Sequence, residues 1–77
     1  MITSDQIRAA RSMLRWTGKD LAEKSGVGFS TLMRLETENG VPNAQAKTLE
    51  AIRKSFEKAG IEFIGSPDDA PGVRLRK

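Results

Sequence analysis

The stretch "FSTLMRLE", residues 29–36, sets an aromatic ring, a hydroxyl, a thioether and a guanidinium within one short apolar-patterned segment. Read as a helix, it turns Leu32 and Leu35 toward a core and leaves Phe29, Ser30, Met33 and Arg34 facing outward. An outward face that mixes a hydroxyl, an apolar ring and a guanidinium is suited to contacting base edges in a DNA major groove. Residue types for other chemistry are missing. The 77 residues contain no histidine, cysteine or tyrosine, which excludes disulfides, thiolate or imidazole metal sites and imidazole acid–base catalysis. Asp68-Asp69 is the one carboxylate doublet, and it lies in the proline-bracketed segment "SPDDAP", where turn formation accounts for it. No enzymatic activity, cofactor or metal is expected.

Such a face is useful only if the chain displays it. The preceding segment "LAEKSGVG", residues 21–28, breaks one helix and at once starts another. Gly26 supplies the positive φ that ends the first helix. Val27 is expected to pin the corner, and Ala22 is small enough to let the two helices approach. Small at 22, glycine at 26 and apolar at 21, 27, 32 and 35 together specify a helix-turn-helix. "GVG" is a helix corner and not a phosphate-cradling loop, because no strand precedes it.

Helix starts are legible elsewhere. Thr3 with Gln6 forms a capping box, flanked by Ile2 and Ile7 as a hydrophobic staple; Thr17 with Asp20, Trp16 and Leu21 repeats the arrangement. A weaker start falls at Gly28. Helices of about 12, 8 and 8 residues follow from these starts. Asn43, after Pro42, is expected to cap a fourth helix carrying Ala46, Leu49, Ile52, Phe56 and Ala59, with Gly60 as its stop. Trp16 reads as a core residue. The period then changes: "GIEFIG" and "GVRLRK" read as short strands around a loop at 65–72, forming a hairpin or one strand plus a basic tail. Arg74, Arg76 and Lys77 suit an edge strand guarded by charge. A lone hairpin is marginal in water, so these strands need the helical core or a second subunit.

The expected fold is therefore mainly α: a compact four- to five-helix domain with a short C-terminal β-hairpin or strand. Residues 1–60 would form the helical DNA-binding part and 61–77 a β extension available for dimerisation. Hydrophobic content of 38% and charged content of 30% suit a globular chain. The net charge of +3 is compatible with a polyanion partner without requiring one. No apolar run approaches the ~20 residues of a membrane span, and the N-terminal "MITSDQIRAAR" lacks a signal-peptide core. No membrane association and a cytoplasmic location are expected.

Residues 7–59 resemble the phage repressor/Cro-type helix-turn-helix family, also called xenobiotic-response-element-like. The likeness rests on "IRAARSMLRWTGKDLAEKSGVGFSTLMRLETENGVP": an arginine on helix one, "DLAEKSGV", a recognition helix, then Leu-Glu and a proline a few residues on. The resemblance implies base contacts from Phe29, Ser30 and Arg34, with Thr31 beside them. It implies phosphate contacts from Thr17, Gly18 and Lys19 and from the loop near Asn39. It also implies a structural ion pair between Arg11 and Glu36. The chain departs from the family pattern at Gly18, where glutamine is frequent, and at Phe29, where a polar residue is frequent.

The function expected on these grounds is sequence-specific binding of double-stranded DNA by a transcriptional regulator, a repressor acting as a homodimer. A different class is the alternative: a protein-interaction module on the same scaffold, such as an antitoxin binding a toxin or a transcription cofactor. Gly18, Phe29 and Met33 favour that alternative by placing apolar or featureless surface where polar readers are usual.

Overall fold

The computed structural model describes residues 1–76; Lys77, assigned above to a guarded edge strand, lies outside them. Four helices come first: α1 (Ser4–Leu14), α2 (Gly18–Ser25), α3 (Phe29–Glu36) and α4 (Ala46–Lys58). Two antiparallel strands follow, β1 (Ile61–Ser66) and β2 (Asp69–Leu75). This corrects the expectation of a mainly α domain of four to five helices with a short strand element. There is no fifth helix among the described residues, and the hairpin is a full pair of strands, six and seven residues long. Its side chains complete the core: Ile61 is buried with Ile7, Leu21, Leu32, Leu35, Ile52 and Phe56, and Phe63, Val73 and Leu75 pack against them.

The first three helix starts fall where the sequence indicates, at Thr3, Thr17 and Gly28. Both capping boxes close: Thr3 Oγ1 accepts from the Gln6 N–H while Thr3 N–H donates to Gln6 Oε1, and Thr17 with Asp20 does the same. Each such cap contributes about 1 kcal/mol by satisfying donors that the helix leaves open. Asn43 does not cap α4. The N-cap is Gln45, without a side-chain bond; Asn43 lies upstream of it, its N–H donating to Glu38 Oε1 at 2.7 Å. The loop is thereby tied back to the end of α3 before α4 begins.

The strands also run further than expected. Ser66 pairs with Asp69, so the loop shrinks to Pro67 and Asp68. The extra length comes from an irregularity between Ile64 and Ser66. There Gly65 sits at φ 75, and a Cβ would fall 2.0 Å from the Ala70 carbonyl oxygen. Only glycine allows that approach.

Long-range polar ties fix the helices. Gln6 Nε2 donates to the carbonyls of Gly72 (2.9 Å) and Ile64 (3.2 Å), joining both strands to α1. Ser4, fully buried, donates its hydroxyl to Leu35 O at 2.6 Å. Arg11 makes a two-pronged pair with Glu36, Nε to Oε2 at 3.0 Å and NH2 to Oε1 at 2.9 Å, and its NH1 donates to Trp16 O at 3.1 Å. Apolar packing supplies the rest. Trp16 stacks on Phe56 with centroids 5.5 Å apart, and Phe56 meets Phe63 edge-on at 6.0 Å. That aromatic series links the α1–α2 corner, α4 and β1; each large buried side chain is worth about 1.5–3 kcal/mol.

Glu36 is only 6% exposed and Arg11 27%, so removing Arg11 strands a carboxylate in the interior. Arg11→Met is expected to destabilise the fold by about 2–3 kcal/mol, less than a fully buried pair because Arg11 reaches water. Arg11→Met/Glu36→Leu should recover most of that loss in urea unfolding. A double variant as unstable as the single one would show that shape, not charge, is what Arg11 supplies. A second expectation concerns the hairpin. Hydrogen bonds from Arg74 and then Arg76 hold the Glu62 carboxyl below its ordinary range. A depressed folded value means stability present above the unfolded pKa of about 4.3 and lost as pH falls through the folded one. The gap in melting temperature between wild type and Glu62→Gln should therefore close on acidification from pH ~7 to ~2; a gap independent of pH would remove Glu62 as its source.

Candidate nucleic-acid interface

The chain turns at Gly26, whose φ of 75 closes α2 with its N–H donating to Ala22 O. A Cβ there would meet nothing within 4 Å, so the demand for glycine is one of backbone conformation alone. Ser25 Oγ accepts from Val27 N–H, and Val27 packs partly into the core. Leu32 and Leu35 are fully buried beyond it, which fixes the rotation of α3. Its opposite face is left on the surface: Phe29, Ser30 and Arg34 are exposed, while Thr31 and Met33 are half-buried.

The N-terminus of α2 lies beside that face. Thr17 and Lys19 are exposed. The Thr17 hydroxyl is committed to its cap, and Lys19 takes part in no ion pair among the described residues. A lysine at this end opposes the helix dipole, which favours an acid there. Asp20 supplies that acid in the first turn of α2, and Lys19 stands beside it.

Gly18, expected to contact phosphate, is buried. The ends of Met33 and Phe29 close over it: a Cβ at residue 18 would lie 2.6 Å from Met33 Cε and 2.9 Å from Phe29 Cε1. Its place in the site is to leave room for those two side chains. That requirement is invisible in the sequence, where Gly18 reads only as the first residue of a helix.

Arg34 is exposed but not idle. Its NH1 donates to Glu38 Oε2 at 3.0 Å, and Glu38 is held in turn by the Asn43 N–H. Asn39 is exposed in the loop that follows. Thr17, Lys19, Phe29, Ser30, Arg34 and Asn39 thus all reach solvent along the α2 start, the α3 outer face and the loop after it. Glu38 is thus part of this face, and its spacing of four from Arg34 is the signal the sequence carries for it. Trp16, stacked on Phe56 with Lys24 Nζ 5.8 Å from its centroid, belongs to the scaffold and not to this face.

No helix of the described residues is long and apolar enough to cross a membrane. In comparisons with known proteins, no family model and no curated sequence matches the chain.

Proposed function

We propose that the chain binds double-stranded DNA sequence-specifically and acts in the cytoplasm as a transcriptional regulator, a repressor working as a homodimer. One observation carries the reading: α3 buries Leu32 and Leu35 completely yet leaves Phe29, Ser30 and Arg34 bare, next to a helix end bearing Lys19. In this reading α3 enters the major groove as the second helix of a helix-turn-helix. The start of α2 meets the flanking phosphate with Lys19 and the positive end of the helix dipole. Asn39 lies where the loop after α3 would meet the backbone.

A single module of this kind reads only a few base pairs, so useful discrimination requires two copies on a palindrome spaced one helical turn apart. The Arg34–Glu38 pair bears on affinity. An exposed pair of this sort is weak, so Arg34 can exchange Glu38 for a base or phosphate at small cost. Exposure of Phe29 supports the second reading, a protein-interaction module such as an antitoxin or cofactor, since a bare ring also suits an apolar partner.

Selection of bound sequences from a random DNA pool tests the proposal: a palindromic motif should emerge, and affinity for it should fall steeply between ~50 and 200 mM salt. Recovery of no motif, or binding indifferent to salt, would defeat it in favour of the protein-interaction reading. Glu38→Ala refines the test. Freeing Arg34 and removing one acid should tighten binding to arbitrary duplex a few-fold and steepen the salt slope by about one phosphate contact. Arg34→Ala should weaken the selected site by roughly 1–3 kcal/mol, measured by fluorescence anisotropy.

A further inference from the structure

Helical spacing divides the bare face of α3 into two neighbouring stripes. Ser30 and Arg34, four apart, form a polar one; Phe29 and Met33, also four apart, form an apolar one on the side toward α2. Both apolar side chains converge on Gly18, whose missing Cβ gives them a seat: Met33 Cε and Phe29 Cε1 come within 2.6 and 2.9 Å of where that atom would be. Seated there, the pair forms one continuous ridge. Met33 is half-buried against the core, and Phe29 keeps 44% of its surface exposed.

The major groove presents hydrogen-bonding edges and a single kind of apolar group, the C5-methyl of a pyrimidine. A phenyl ring cannot pair with the former without leaving base atoms unsatisfied, but it buries the latter. The polar stripe is committed differently, because Arg34 is partly engaged by Glu38. We propose that the Phe29–Met33 ridge reads a pyrimidine C5-methyl, so that each half-site carries a thymine, or a 5-methylcytosine in its place, against Phe29. Gly18 is the positioning residue: any side chain at 18 would displace the ends of both. This inference rests on the DNA-binding reading above and adds to it which group on the DNA is recognised and by what.

The experiment uses the full chain and synthetic duplexes of the selected site, with thymines replaced one at a time by deoxyuridine, which removes only the methyl. One position per half-site should lose about fourfold in affinity, the factor corresponding to a buried methyl group. Cytosine at that position should bind weakly and 5-methylcytosine should restore part of the loss, which separates the methyl itself from the rest of the thymine ring. In Phe29→Ala, confirmed as folded by its melting transition, the penalty for deoxyuridine should vanish, while Phe29→Leu should keep part of it. Gly18→Ala should blunt the discrimination without altering the polar contacts.

If every deoxyuridine duplex binds as tightly as its thymine parent while the selected motif and its salt dependence stand, the methyl assignment is overturned and the DNA-binding reading survives. If no motif is selected at all, both fall. If Phe29→Ala leaves DNA affinity intact but abolishes association with a protein partner, the ridge is a protein-docking surface and the assignment is likewise overturned.

Discussion

Arg11 is the fastening on which the arrangement depends. One guanidinium meets Glu36 at the end of α3 with two prongs and the Trp16 carbonyl at the α1–α2 corner with a third, so α1, α3 and that corner converge on a single planar group. Glu36 would not occupy its place unaided: a carboxylate at the C-terminus of a helix faces the negative end of the dipole, and here it is nearly excluded from water. Arg8 donates to the Glu36 carbonyl, and Ser4 to the Leu35 carbonyl beside it. The C-terminal end of α3 is thus held from the α1 side by donors, while its N-terminal end rests on α2. A helix pinned at one end and seated at the other can leave its outer face uncovered without losing its orientation.

The hairpin is part of the same solution. Two strands alone cannot bury enough surface to persist in water, and these find their missing partner within the chain. Gln6 finishes the capping box of α1 with its carbonyl oxygen and reaches both strands with its amide nitrogen. Ile61 then enters the core between residues contributed by every helix, and Phe63 extends the aromatic series from Trp16 and Phe56. Residues 61–76 therefore serve the fold directly, and any contact between two copies through the strands would be made in addition to that service.

How much of this was legible in the sequence follows from the range of each interaction. Capping boxes are closed by residues three apart, so Thr3/Gln6 and Thr17/Asp20 could be read locally, as could the αL glycine at 26. Asn43 is misleading as a cap because α4 starts only at Ala46, with Gln45 before it, while the Asn43 N–H ties the loop back to Glu38, outside any capping pattern. The strands were underestimated because composition near "SPDDAP" signals a loop, whereas the Gly65 irregularity lets pairing continue through it. Ser4 to Leu35 and Gln6 to Gly72 span distances in sequence over which no spacing rule operates. The Arg11–Glu36 pair came from family likeness and not from periodicity. Of the interface residues, those on α3 followed from its apolar period. The reason for Gly18 did not, because it lies in side chains 11 and 15 positions away.

The distribution of charge explains why an apolar ridge matters on such a surface. Every ion pair among the described residues is made by an arginine: Arg8, Arg11, Arg34, Arg53, Arg74 and Arg76. The lysines at 19, 24, 47, 54 and 58 make none, which matches the chemistry of the two groups, since a guanidinium fits a carboxylate with two prongs and an ammonium remains a hydrated point charge. The acids nearest the α3 face are already engaged, Glu36 by Arg11 and Glu38 by Arg34 and the Asn43 N–H, so they subtract less from the local field than a formal count suggests. Even so, a net charge of +3 gives limited attraction to a polyanion. Phosphate contacts of that number would hold any duplex equally and tell none apart. On the proposed DNA-binding reading, discrimination comes from groups that fit one base better than another, and on this face those are Ser30, Arg34 and the ring of Phe29 supported over Gly18.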